Sequence, residues 1–165
     1  MKKLIPLTNN ERAAHSGFTH SVRLDLGDLT ETGAGTAQTI DVGGILPGDF
    51  VQKAMLVLTK GFKDKSDTAF DSVTVAVGDT SSNTQFFAAQ QVAALSGSVI
   101  ATPKLNNTAV GPYTAADKVR FTVTPKTGKK LADLDEGELH VFVQFPNPAP
   151  LAQARGEVPI LVPVS

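Results

Sequence analysis

The sequence contains no cysteine and no tryptophan, and its 165 residues include a single tyrosine, Tyr113. Without cysteine, the chain has no disulfide, no thiolate metal site and no cysteine nucleophile. Sugar sites on β-sandwiches use exposed aromatic rings, whereas the nine phenylalanines of this chain fall mostly on apolar faces. The composition therefore excludes a disulfide scaffold and weighs against a lectin.

The chain also lacks an excess of either charge, since 15 Lys and Arg residues oppose 16 Asp and Glu residues. A net charge of -1 gives no general attraction to nucleic acid or to an anionic membrane. The N-terminal lysines resemble those of a signal peptide, but the apolar run that follows breaks at Pro6. No apolar run is long enough to span a bilayer. We expect a soluble protein made in the host cytoplasm, with neither nucleic acid nor membrane as a partner.

Catalytic and metal-binding motifs are missing as well. His15, His20 and His140 form no HxH or HExxH pair, and no serine lies in a GxSxG context. The aspartates of segment 64–71 lack the spacing of a calcium loop, and the lysines among them oppose a cation. His20 shares the inward phase of its predicted strand and His140 the outward phase. These patterns predict a protein that is not an enzyme, with no catalytic residue, no metal and no cofactor.

What the sequence does contain is strict alternation of apolar and polar residues. It is clearest in VTVAV at 73–77, VRFTV at 119–123 and LHVFVQF at 139–145. Such alternation is typical of strands with one buried face. Further strands are predicted at Phe18–Leu26, Thr36–Val42 and Phe50–Thr59. Seven or eight short strands joined by turn-rich connections indicate an all-β fold, an antiparallel β-sandwich or jelly roll.

One stretch is ambiguous. In Gln85–Leu95, QFFAAQQVAAL, the alanines and glutamines allow a short helix, and the apolar residues could share a helical stripe. A strand is equally compatible with the pattern, so both alternatives stay open at the level of the sequence.

The two ends of the chain differ from its middle. We predict an N-terminal arm at 1–17, a β-sandwich domain at 18–146 and a proline-rich C-terminal arm at 147–165. Half of the ten prolines lie between Pro146 and Pro163, and proline favours an extended chain. Both arms nevertheless carry apolar residues, which suit contacts with other subunits. The predicted contact residues are Leu4, Ile5, Leu7, Val158, Ile160, Leu161 and Val162.

The order of several short segments resembles small structural proteins of tailed bacteriophages. These segments are ILPGDFV at 45–51, VTVAVGD at 73–79, FFAAQQV at 86–92, YTAADKVRFTV at 113–123 and GELHVFVQF at 137–145. The resemblance covers residues 18–146, and the proline-rich extension exceeds the pattern. Within that group, jelly-roll cement or decoration proteins of capsids are the most similar functional type. The resemblance implies no catalytic residues.

These expectations combine into one leading hypothesis. The chain is predicted to be a virion protein that binds the outer surface of an assembled phage shell and stabilises it. Its partners would be the major capsid protein and itself, as a dimer or trimer. The alternatives are a phage tail or neck protein, a receptor-binding, lectin-like module with its ligand near Tyr113 and segment 60–71, and a jelly-roll enzyme.

Overall fold

The structure is a computed structural model, and it describes residues 2–100 and 103–146. In chain order the strands of these residues are β1 (Lys2–Lys3), β2 (Ile5–Pro6), β3 (His20–Asp25), β4 (Gln38–Ile45), β5 (Lys53–Lys63), β6 (Val73–Gly78), β7 (Phe87–Gln91), β8 (Lys104–Asn106), β9 (Asp117–Pro125) and β10 (Glu136–Gln144). A short helix, α1, spans Asn9–Ala14, and 3₁₀ turns span Leu26–Asp28 and Leu131–Asp133. In this part of the chain, no helix combines the length and the apolar content needed to cross a bilayer.

The strands form two five-stranded sheets. Sheet A has the order β1-β4-β9-β6-β7, and sheet B has the order β2-β3-β10-β5-β8. Within the sheets, β3 pairs with β10, β4 with β9, β5 with β8 and β6 with β7, all antiparallel. The two halves of the chain therefore fold back on one another, and successive strand pairs alternate between the sheets. The predicted all-β sandwich is confirmed.

The core lies between the two sheets and is built from the alternating residues. Val73, Val75 and Val77 of β6 are fully buried, as are Leu139 and Val141 of β10. The intervening Thr74 and His140 are partly exposed, as in a strand with one buried face, whereas Ala76 and Phe142 are buried on the other face as well. Burying one such side chain contributes about 1.5–3 kcal/mol, so the alternation specifies which face of each strand points inward.

The ambiguous segment Gln85–Leu95 contains a strand, β7, and the helical alternative is wrong. Val77 pairs with Phe87, and Val75 pairs with Gln90, with a register shift between them. The alanines favour a helix locally, but β6 would otherwise lie at the edge of sheet A with unpaired backbone groups. Pairing with β7 satisfies those groups, and this tertiary contact overrides the local preference.

Strand β5 is longer than predicted. The sequence placed its end at Thr59 and assigned Lys60–Asp71 to a charged connection, whereas β5 continues to Lys63. The extension is paired with β10, in which Glu136 lies opposite Lys63 and Glu138 opposite Lys60. The charges that suggested a loop are therefore cross-strand partners.

The N-terminal segment predicted as an arm packs against the sandwich. β1 adds to sheet A in parallel with β4, and β2 adds to sheet B beside β3, so residues 2–6 cross from one sheet to the other. Helix α1 follows, with Thr8 and Glu11 forming a reciprocal capping box. Leu7 then joins Phe18, Met55 and Phe142 in a second apolar cluster. The C-terminal arm, 147–165, lies outside the described residues.

A tight contact in β10 generates a first prediction. Gly137 has φ +154°, and a Cβ built on it would lie 2.2 Å from a ring carbon of Phe62. Phe62 is fully buried, so the ring cannot move away freely. We expect Gly137→Ala to lower the free energy of unfolding by about 2–5 kcal/mol, from backbone strain and overpacking together.

Gly128→Ala is the matched control, because Gly128 has φ +80° but nothing within 4 Å of its built Cβ. This variant should lose only the backbone part, about 1–2 kcal/mol. Urea unfolding of both variants measures the difference. Equal losses would show that the Phe62 contact is unimportant.

A charge cluster generates a second prediction. The Glu136 carboxylate lies 3.1 Å from both Lys63 and Lys65 and 3.5 Å from Lys60. Hydrogen bonds from Lys63 and Lys65, with the charges of Lys60 and Lys63, lower the pKa of Glu136 from 4.5 to about 2. A carboxyl whose folded-state pKa is depressed contributes stability above its unfolded pKa, and that stability is lost as the pH falls through the folded value.

We therefore expect Glu136→Gln to be less stable than the parent chain at pH 6, with the difference shrinking between about pH 4.5 and 2. The measurement is the urea midpoint of both chains across this range. Asp133→Asn, which changes an exposed carboxylate nearby, is the control. A stability difference that does not vary with pH would contradict the role of the charge.

Candidate binding site at one end of the sandwich

Three connections meet at one end of the sandwich, around the only tyrosine. They are 46–52 between β4 and β5, 79–86 between β6 and β7, and 107–116 between β8 and β9. We call this the tyrosine end. It contains three of the segments that carry the phage resemblance, which lie far apart in the sequence.

The first connection is held to Tyr113 through its backbone. The Tyr113 amide donates to the Asp49 carbonyl at 2.8 Å, and the Gly48 amide donates to the Tyr113 carbonyl at 2.7 Å. The buried Asp49 carboxylate accepts from the Leu46 amide at 3.0 Å. The sequence LPGD is typical of a turn, and here its aspartate closes the turn. The backbone of the same turn binds the connection 107–116, which contains Tyr113.

The second connection is held through the side chain of Tyr113. Its hydroxyl donates to Asp79 Oδ2 at 3.0 Å, while Asp79 Oδ1 accepts from the Ser81 and Ser82 amides, both at 2.9 Å. Burial opposes ionisation of Asp79, but these hydrogen bonds outweigh it and lower the pKa of the carboxyl. Burial and the bond to Asp79 together raise the pKa of Tyr113.

A third carboxylate completes the arrangement. Asp117 Oδ1 accepts from the Thr80 hydroxyl at 2.7 Å and from the Thr80 amide at 3.3 Å. Asp79 and Asp117 thus hold backbone amides and hydroxyls of the loops, and Asp49 does the same within its turn. This chemistry fixes the shape of the tyrosine end, because each ionised carboxylate accepts charge-assisted hydrogen bonds.

Beside these contacts lies a cavity of about 380 Å³, which we call the end pocket. One wall comes from residues 2–6, which pass from sheet A to sheet B and which we call the N-terminal crossing; its lining residues are Lys3, Leu4 and Pro6. Residues 43–46 and 116–118 form the other walls. Most of the surface facing the cavity is apolar. Gly43 and Gly44 also line it, and a Cβ at Gly44 would lie 3.1 Å from the Leu4 side chain, so this glycine lets Leu4 pack against β4.

His20 also lines the end pocket and connects it to the end of β10. The imidazole Nδ1 lies 2.9 Å from Thr19 Oγ1, and the ring meets Phe145 edge-on at a centroid distance of 5.1 Å. The Phe145 amide donates to Thr19 Oγ1 at 3.0 Å. His20 is buried, as its inward phase predicted. The described part of the chain therefore ends next to the pocket.

The predicted contact residues of the N-terminal segment have different environments. Leu4 and Leu7 are each 8% exposed and pack within their own chain, whereas Ile5 is 63% exposed. A contact of Leu4 or Leu7 with another subunit would require the segment to leave this position. Contacts by these residues stay a prediction. Val158, Ile160, Leu161 and Val162 lie outside the described residues.

The polar residues considered in the sequence are engaged elsewhere. His140 lies 3.1 Å from Glu138 and stacks near Phe142. Asp67 pairs with Lys129 and Asp71 with Lys126, so the charges of the 60–71 region compensate one another. Over residues 2–100 and 103–146, no three His, Asp or Glu side chains are grouped so that they could hold a metal ion.

The end pocket itself was missed by the sequence reading. Its walls come from three separate stretches of the chain, and none of them contains a binding motif. The adjacent glycines 43 and 44 are the available signal, and they lie within or beside the pairing of β4 with β1 and β9.

Comparisons with protein-family models, with curated proteins and with solved structures found no match to the chain.

The bond between Tyr113 and Asp79 generates a third prediction. Tyr113→Phe removes the hydroxyl and leaves a buried carboxylate with one donor fewer. We expect the free energy of unfolding to fall by about 1.5–3 kcal/mol, the usual value for a hydrogen bond to a charged group. Urea unfolding at pH 7 measures this loss.

The control is the same change in an Asp79→Asn chain, where no ionised carboxylate receives the hydroxyl. There the loss should be smaller, since residues in direct contact are not additive. Equal losses in both backgrounds would mean that the hydroxyl stabilises the fold through some other contact.

Proposed function

We propose that this chain is a structural, non-enzymatic virion protein that decorates an assembled bacteriophage shell. It binds the outer surface of the shell through the major capsid protein and stabilises it. The resemblance of its segments to phage structural proteins suggests this class, and the observations below support it.

The observation that carries the proposal is that residues 4–7 and Phe145, near the two ends of the described chain, lie together at the tyrosine end. The N-terminal crossing pairs with residues 42 and 43 of β4 and with the start of β3. The Leu7 amide donates to the Thr19 carbonyl, and the Phe145 amide to the Thr19 hydroxyl. A rigid body in which segments near both chain ends lie side by side can attach by that end and keep the other end away from the surface.

The strand order supports a jelly roll. A long antiparallel ribbon that is wrapped up on itself produces strand pairs that alternate between two sheets, as β3/β10, β4/β9, β5/β8 and β6/β7 do. Viral capsid proteins use this architecture, and so do lectins and cupins, so the fold alone does not select a function.

The mechanism is mass action. A protein that binds only the assembled shell stabilises it at each site by RT ln(1 + [L]/Kd), where [L] is the free concentration of the protein. Contributions from many equivalent sites add, so modest contacts suffice. The carboxylates of the tyrosine end hold its loops in place before binding, which reduces the entropy lost on attachment.

The fourth prediction concerns copy number. Particles purified from the source lysate should contain this chain in a simple ratio to the main shell protein. Quantitative mass spectrometry with isotope-labelled peptides from both chains measures the ratio. An abundant host protein measured in the same particles sets the level of contamination.

Copies in the hundreds per particle are expected for a shell decoration. About a dozen copies or fewer would instead indicate the neck, the tail or a receptor-binding fibre. A level no higher than that of the host protein would overturn the virion role altogether.

A further inference from the structure

We propose that the end pocket receives the apolar C-terminal tip, residues 156–165, of a second copy of this chain. The proposal concerns the purified protein alone and does not depend on a role at a capsid. The end pocket, which the sequence did not predict, would thereby gain an occupant. The apolar residues of the tip, which would be unfavourable in a solvated tail, would gain a buried contact.

The first argument is the chemistry of the two surfaces. The end pocket falls within the roughly 300–1,000 Å³ range of ligand cavities, and its facing surface is mainly apolar. The C-terminal tip reads GEVPILVPVS, with six aliphatic or proline residues in the run 158–163.

The second argument is charge. Glu157 is the only charged side chain of the tip. The charged residues lining the end pocket are Lys3, Lys118 and Asp117, and Lys118 lies 3.4 Å from Asp41. An apolar segment whose one charged side chain lies at its start can place its apolar part in the cavity and keep that charge at the mixed-charge walls.

The third argument is the length of the connection, which lets the tip reach a second copy. Phe145 touches His20, and His20 lines the end pocket, so the described chain ends beside its own pocket. Prolines at 146, 148 and 150 favour an extended path. At roughly 3.1 Å per residue, an extended segment 147–157 would reach about 34 Å, which is enough to place the tip on a neighbouring copy.

Such an exchange gives each copy one tip and one pocket. If two copies exchange tips reciprocally, the assembly closes as a dimer, and if each copy passes its tip to the next, a ring results. In either case self-association requires both surfaces, and this requirement is what the experiment tests.

The fifth prediction uses two full-length variants that each block one surface. Ala116→Trp fills the end pocket from an exposed wall residue, and Leu161→Asp puts a charge into the tip. Sedimentation equilibrium should show self-association of the parent chain. Each variant alone should raise the dissociation constant at least about tenfold, because every contact then contains a blocked surface.

Mixing the two variants is the decisive step. The Ala116→Trp chain keeps its tip and the Leu161→Asp chain keeps its pocket, so one intact contact forms between them. A complex of one copy of each should therefore appear only in the mixture. Circular dichroism and thermal unfolding of each variant verify that the sandwich is folded.

Matched controls lie next to each change. Ala115→Trp alters an exposed neighbour outside the walls of the pocket, and Leu151→Asp alters the connecting segment before the tip. Both should associate like the parent chain. Three results would overturn the proposal: a monomeric parent chain, equal effects of Ala115→Trp and Ala116→Trp, or no mixed complex.

Discussion

Strand β10 is paired on both sides, with β3 and with β5, and the rest of the structure depends on this pairing. Its inward-facing residues, such as Leu139 and Val141, are fully buried in the core between the two sheets. The first residue of β10, Glu136, forms ion pairs with three lysines. Phe145, which follows the last residue of β10, donates a backbone hydrogen bond to Thr19 and packs against the ring of His20. One strand therefore connects the charged end of the sandwich to the tyrosine end.

The loops of the tyrosine end are ordered by carboxylates as well as by apolar residues such as Val51 and Phe86, which lie in the core. A connection between strands has few neighbours, so its backbone amides need partners from side chains. Asp49, Asp79 and Asp117 provide these partners, and Tyr113 ties the first two connections together. Because ionised carboxylates accept stronger hydrogen bonds than neutral groups, a small number of them is enough to hold three loops.

The N-terminal crossing covers strand edges that an open sandwich leaves exposed. Edge strands expose unpaired backbone groups, which invite pairing with other chains. β1 and β2 cover part of the edges of β4 and β3, and Leu4 fills the space between the sheets. The same crossing builds one wall of the end pocket, so covering the edge also creates a place where another segment of chain can bind. In our proposals, the end pocket binds one specific segment of a second copy, whereas exposed strand edges would pair with other chains without selection.

Much of the fold follows from local pattern. Alternation in 73–77, 119–123 and 139–145 placed the central strands and their buried faces, because the side-chain period of a strand is two. Pairing was beyond local pattern: pairing with the neighbouring β6 made Gln85–Leu95 contain a strand, and pairing with the distant β10 extended β5 to Lys63. The end pocket likewise depends on contacts between separate stretches. The sequence by itself determined which residues face the core, whereas only the tertiary structure decided which segments meet, because the free energy of pairing and burial arises from partners far apart in the chain.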